Sequence, residues 1–194
     1  MYRFNKLLRK IPIVKHRIRR QDGRAHRFVA VIDCITNQNS RDLGAAIYPA
    51  MNWPVVQLCY QYDVAMLQMP CPEIAFLGFA RNRAPGVSIR EALNTPDGIS
   101  CCRKIAIDVV DRIEQLLEQQ AVFLAVLGGN SQSPGCAINR DCEPRQIPSG
   151  VLMIELTDEL QQRNISVPFR AIRDAQSGLL NEDLQWLKQC FLKN

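Results

Sequence analysis

Apolar positions follow two rhythms along this chain of 194 residues. In "RFVAVIDC" a short β-branched run predicts a strand from Phe28 to Asp33, because such side chains suit a pleated, buried surface. "DVAMLQM" predicts a second strand, closed at Pro70, and "AVFLAVLGG" a third. The third is apolar nearly throughout, the pattern of a strand covered on both faces. In "TPDGISCCRKIAIDVVDRIEQLLEQQ" the period changes. Cys102, Ile105, Ala106, Val109, Ile113, Leu116 and Leu117 fall on one stripe, which predicts a long amphipathic helix.

The remaining segments are read more coarsely. "ITNQNSRDLG" is a polar loop in which Asn37, Ser40 and Asp42 are candidate helix caps. The stretch up to Tyr62 reads as helix interrupted at Pro49 and Pro54, and Gly78 to Gly98 reads as loop. "VLMIELTDELQQRN" predicts a helix, "ISVPFRAI" a short strand, and "NEDLQWLKQCFL" a C-terminal helix. Strands alternating with helices imply an α/β fold: a mainly parallel, Rossmann-like open sheet with helices on both faces.

Composition bounds this picture. A chain that is 47% hydrophobic can fill the core of one domain. No apolar run approaches the roughly 20 residues of a membrane span, and no apolar stretch of a secretory signal follows the charged start. The expectation is a soluble, cytoplasmic protein. Charge is uneven: residues 1–27 contain ten Lys or Arg and one acid, Asp22, so +9 of a net +5 lies there and the body carries −4. The division expected is a basic arm over 1–27 and a single α/β domain over 28–194. Such an arm is a solvated tail, a contact for nucleic acid such as tRNA or another anionic surface, an organelle-targeting peptide or a segment docked on the protein itself. Both histidines, His16 and His26, belong to it, so the body offers no histidine base or ligand.

Eight cysteines then become the chemistry to place. No C-x-x-C occurs, which argues against a zinc ribbon or a thioredoxin-type pair. Cys59, Cys101, Cys102 and Cys190 fall in predicted helices and read as small core residues. Cys34, Cys71 and Cys136 instead follow the first, second and third predicted strands. Loops at the carboxyl ends of parallel strands gather in one crevice, so these three thiols are able to converge. They are either three unrelated loop cysteines or a soft-metal site for zinc, copper or an iron–sulfur cluster. Pro70 and Pro72 flank Cys71 and bias it to extended backbone. Cys142, in a polar loop, is an accessory candidate.

The order "DCITNQN … QMPCPEIAFLG … NTPDGISCCRKIAIDVV … NSQSPGCAIN … GVLMIELTDEL" resembles the thiouracil desulfidase (TudS-like) family over roughly residues 28 to 172. The resemblance is closest to a branch with NQN, QLPCPE and S-P-x-C motifs. It implies a [4Fe–4S] cluster held by Cys34, Cys71 and Cys136. Its open iron takes the sulfur of a thiocarbonyl substrate, such as a thiolated nucleobase or nucleoside, and water replaces that sulfur without redox change. It also implies catalytic roles for Ser133, first residue of S-P-x-C, and for Glu73 of PCPE as a general base or water orienter. A carboxylate there also suits a helix N-terminus. Asn37, Asn39 and Asn130 are candidate substrate donors, with loop architecture as the other reading of each.

Four features depart from the family pattern. Asp33 stands where the branch usually has His, and Gln68 stands where some desulfidases place an acid. The segment after Cys136, "AINRDCEPRQIPS", is longer than usual and carries Cys142. The basic arm lies outside the pattern altogether. These departures keep a second class of function in view: a non-catalytic metal-binding or sulfide-handling protein using the same three thiolates.

Overall fold

The computed structural model of the chain describes residues 22–139 and 149–193. His16, Cys142 and residues 1–21 of the basic arm lie outside them. Four strands, β1 (Arg27–Ile32), β2 (Ala65–Met69), β3 (Val122–Gly128) and β4 (Phe169–Ala171), make one sheet in the order β2-β1-β3-β4. Every pairing is parallel, with Ala30 of β1 opposite Leu67 of β2 on one side and Val126 of β3 on the other. Burial follows position: Phe28–Ile32 and Leu124–Gly128 are inaccessible, whereas only Met69 is buried in the edge strand β2.

The connections set the two faces. After β1 come the single-turn α1 (Asp33–Thr36), a 3-10 turn (Gln38–Ser40) and α2 (Trp53–Gln61). Then α3 (Pro72–Leu77), α4 (Ile89–Leu93) and α5 (Pro96–Glu118) link β2 to β3, α6 (Val151–Gln162) links β3 to β4, and α7 (Ser177–Lys193) closes the chain. The chain moves from β1 to β2 in one direction and from β2 across β1 to β3 in the other. Right-handed crossovers therefore put α2 and α5 on opposite faces. α6 packs along α5, and α7 packs on α2 and β3. The fold is the expected α/β sheet covered on both sides.

The core is most of the predicted stripe of α5 against the central strands. Cys102, Ile105, Ala106, Val109 and Ile113 are buried, joined by Val110, while Leu116 and Leu117 are half-buried; each large aliphatic side chain contributes about 1.5–3 kcal/mol by leaving water. Among the described residues no helix is long and apolar enough to cross a membrane.

Four boundaries differ from the sequence reading, each for a local reason. The helix expected up to Tyr62 begins only at Trp53, where the Asn52 side chain accepts from Val55 N. Pro54 lies in its first turn, where a missing N–H costs no hydrogen bond; it starts the helix rather than interrupting it. The Gly78–Gly98 loop contains α4, opened by a capping box between Ser88 and Glu91. Of "ISVPFRAI" only Phe169–Ala171 pairs, because Pro168 has no N–H to give and offers just its carbonyl, to Val126 N at 2.9 Å. The C-terminal helix starts at Ser177, ahead of the apolar stripe that predicted it.

Because the chain reverses direction after β1, the topological switch point lies between β1 and β3. In open parallel sheets the ligand crevice forms there, at the carboxyl ends of the strands.

Candidate active site

A cavity of about 440 Å³ opens at that switch point. Cys34, Cys71 and Cys136 all line it, together with Asp33, Glu73, Arg41, Arg81, Asn130 and Ser133. Cys34 is the second residue of α1, directly beyond β1. Cys71 is the N-cap of α3, two residues beyond β2. Cys136 closes the loop after β3, where Gly129 N donates to its carbonyl at 2.8 Å. Three thiols far apart in sequence thus stand at the ends of three neighbouring strands.

The prolines and glycines explain how the loops meet. Pro72 is buried in the first turn of α3. A Cβ placed on Gly135 would overlap the Pro72 ring, so these two residues hold the Cys71 and Cys136 loops in direct contact. A Cβ on Gly129 would stand 2.7 Å from Cys136 Sγ and 3.0 Å from Ser133 Oγ, closer than real Cβ atoms stand. Glycine at both positions lets backbone and side chains approach as the cavity wall requires.

Burial dominates the electrostatics of the thiols. It pushes Cys34 up to about 11, against the nearby Arg41 guanidinium. It also raises Cys71, although the N–H groups of Ile74 and Glu73 point at that sulfur and oppose the rise. Cys136 goes well above 9, through burial first and then through the proximity of Cys34, Glu73 and Cys71, with the Ser133 hydroxyl acting the other way. Among the described residues no group of three or more His, Cys, Asp or Glu side chains could hold a metal ion. The thiols share a cavity wall, which suits a group with several metal atoms. An all-sulfur donor set, the close approach at Gly129 and the cationic Arg41 beside Cys34 all fit an iron–sulfur cluster.

Glu73 lies in the first turn of α3 without capping it. Burial raises its carboxyl above the ordinary value, while Arg81 and the Gly135 N–H pull it back. Arg81 Nε is 3.6 Å from Glu73 Oε2. Arg81 is itself buried, at a positive φ of 48°, and is fixed by donating to Ser40 O at 2.6 Å and Phe79 O at 2.8 Å. The two departures from the family pattern touch one another: Gln68 Nε2 donates to Asp33 Oδ1 at 2.7 Å. Burial raises Asp33 as well, opposed by the Cys71 N–H, Gln68 and Ser40.

No family model matches the chain, and no solved structure matches it. An uncharacterized protein of Methanocaldococcus jannaschii is similar to it, 24% identical over 141 residues, which cover 73% of this chain and 82% of the relative.

Not every candidate is brought in. Asn37 and Asn39 do not line the cavity. They are exposed, and Asn37 Oδ1 accepts from Asn39 N at 3.1 Å and from Asn39 Nδ2 at 3.0 Å, capping the 3-10 turn. Loop architecture is their structural role. Asn130 lines the cavity, yet its Nδ2 donates to Asp174 Oδ1 at 2.9 Å and its Oδ1 accepts from Ala175 N at 3.3 Å. Ser133 and Glu73 line the cavity. Sequence reasoning missed Arg41, Arg81 and Asp174, which sit in irregular segments with no periodicity to mark them. Gly129 and Gly135 did carry a signal, as glycines within a few residues of a candidate ligand.

Proposed function

We propose that the chain is an iron–sulfur-dependent desulfidase that hydrolyses the C=S group of a small thiolated substrate to C=O and releases sulfide. The substrate is a thiolated nucleobase or nucleoside, free or within tRNA recruited by the basic arm. The observation that supports this most is the meeting of Cys34, Cys71 and Cys136 in one cavity with Glu73 and Ser133 in the same wall. A [4Fe–4S] cluster on three thiolates keeps one iron open, a soft Lewis acid for thiocarbonyl sulfur.

The remaining work falls to side chains of this chain. Glu73 is the group to take a proton from water: a buried carboxylate has raised basicity, and Arg81 opposes that rise. Such a positioned base contributes about 10²–10⁴-fold to a rate. Ser133, whose Oγ stands beside Cys136, holds a hydroxyl proton for a ring atom of the substrate. Apolar Ile47 and Ile89 in the same wall offer a surface for the face of a heterocycle. Water supplies oxygen and two protons and sulfur leaves as sulfide, so no electron donor enters.

The test is purification without oxygen. The expected product is brown, with about four irons and four acid-labile sulfides per chain. It releases sulfide from 2-thiouracil, 4-thiouracil or a thiouridine. A colourless zinc protein would sink the proposal. A brown protein inert toward every thiolated base, nucleoside and tRNA offered would be the non-catalytic sulfide-handling protein instead.

A further inference from the structure

Asp174 is buried more deeply than any ordinary surface acid, its side chain 1% exposed. Three donors from two loops, the one before α2 and the one after β3, converge on it. Arg41 Nη2 reaches Oδ2 at 2.6 Å, Asn52 Nδ2 reaches the same oxygen at 3.0 Å, and Asn130 Nδ2 reaches Oδ1 at 2.9 Å. The second amine of the Arg41 fork is also used, donating to Ala45 O at 3.0 Å. Arg41 is thereby held in one orientation in the cavity wall that Cys34 also lines.

Stability alone does not account for this arrangement. A buried ion pair contributes little beyond what well-packed apolar residues of the same size would supply, because both charges must leave water. Charge placement does account for it. Asp33, Asp42 and Glu73 already line the cavity, and three thiolates with a cluster add more negative charge. Of the two guanidiniums in the wall, Arg81 is turned to Glu73 and to backbone carbonyls, and Arg41 to Cys34.

We infer that Arg41 is a fixed cation in the cavity wall it shares with Cys34, that it offsets the negative charge of the cluster, and that Asp174 is the positioning residue that holds it there. The inference rests on the cluster reading above. Net charge and hydrogen bonds to the coordinating sulfurs set the reduction potential of an iron–sulfur cluster, whether or not the reaction uses it. The potential therefore reports on Arg41 independently of activity.

The experiment uses the full chain, reconstituted with iron and sulfide without oxygen, with potential followed by dye-coupled titration and the reduced cluster by electron paramagnetic resonance. Arg41→Gln keeps a donor for Asp174 and removes the charge. It is expected to retain iron and shift the potential to more negative values. Arg41→Lys keeps charge without the fork and is expected between Arg41→Gln and the parent. Asp174→Asn releases the guanidinium and is expected to shift the potential in the same direction and broaden the resonance. Should Arg41→Gln fail to fold, Arg41→Lys against the parent carries the comparison. Iron-loaded variants with the parent's potential and resonance would overturn the inference and leave the desulfidase reading standing. A parent chain that takes up no iron would overturn both.

Discussion

Gln68 Nε2 donates to Asp33 Oδ1 across 2.7 Å, joining the end of the edge strand β2 to the residue before Cys34. Asp33 stands where the resembled branch usually has His, and Gln68 where some desulfidases have an acid. A histidine at position 33 with an acid at position 68 would make such a contact with donor and acceptor exchanged. Breaking it from one side is therefore expected to be worse than exchanging both sides. Gln68→Glu sets two carboxylates against each other, and Asp33→His leaves an imidazole facing a carboxamide. The double variant Asp33→His with Gln68→Glu recovers stability by a coupling of about 1 kcal/mol. Denaturant unfolding of the four proteins checks this. Additive losses would mean that the two positions are independent.

The ligand set predicts a sharp contrast among cysteines. Cys71→Ser is expected to lose most of the iron, because a hydroxyl is a poor ligand for a soft metal site. Cys190→Ser is expected to keep it: Cys190 lies in α7, its Sγ 3.3 Å from Leu124 O, and does not line the cavity. Iron and acid-labile sulfide assays on both variants decide the matter. Equal losses would move the ligands elsewhere.

The contact between Gly135 and the Pro72 ring gives a geometric prediction. Gly135→Ala forces a methyl into that ring and drives the Cys71 and Cys136 loops apart. Overpacking of this kind costs about 1–3 kcal/mol, and here it also lowers iron retention. Gly178, where an added Cβ meets nothing within 4 Å, is the control: Gly178→Ala is expected to change neither property. Thermal unfolding with iron analysis separates the two.

Glu73 sets a pH signature. Burial raises its carboxyl, so the acidic limb of the rate profile is expected above the ordinary carboxylate range, with activity rising as pH climbs through it. Arg81 opposes that rise, so Arg81→Met is expected to move the limb to still higher pH. Glu73→Gln removes the limb and lowers kcat by about 10²–10⁴-fold. A profile whose acidic limb survives Glu73→Gln would assign it to another group, and Asp33, also raised by burial, is the one to examine.

The sequence and the structure agree where periodicity carries information and part where it does not. The stripe of α5 and the apolar run of β3 were legible because burial on a sheet imposes a period on many residues at once. The strand-end placement of Cys34, Cys71 and Cys136 followed from the same patterns, since a strand's end fixes where the next residues lie. Asp174 carries no such mark. It is one acid in a short loop, and its role depends on Arg41, 133 residues away, and on Asn52 and Asn130. Asn37 and Asn39 show the converse: a motif position that reads as functional is occupied in closing its own turn.

The core cysteines make the last prediction, on stability against pH. Cys59 and Cys102 are inaccessible to solvent, and burial pushes both up to about 12. In the unfolded chain each ionises near its ordinary value of about 8.5. Below that pH both states hold the proton and these thiols contribute no pH dependence. Above it the unfolded chain loses protons that the folded chain keeps, so stability falls as pH rises toward 12, by up to about 1.4 kcal/mol per pH unit for each thiol. Lysines and tyrosines titrate in the same range, so the informative quantity is a difference in slope. Cys59→Ala lowers stability at neutral pH by leaving a small void, yet its loss between pH 9 and 11 is expected to be shallower than the parent's. Denaturant midpoints at successive pH values measure both slopes. Parallel slopes would mean that Cys59 is reached by water in the folded protein.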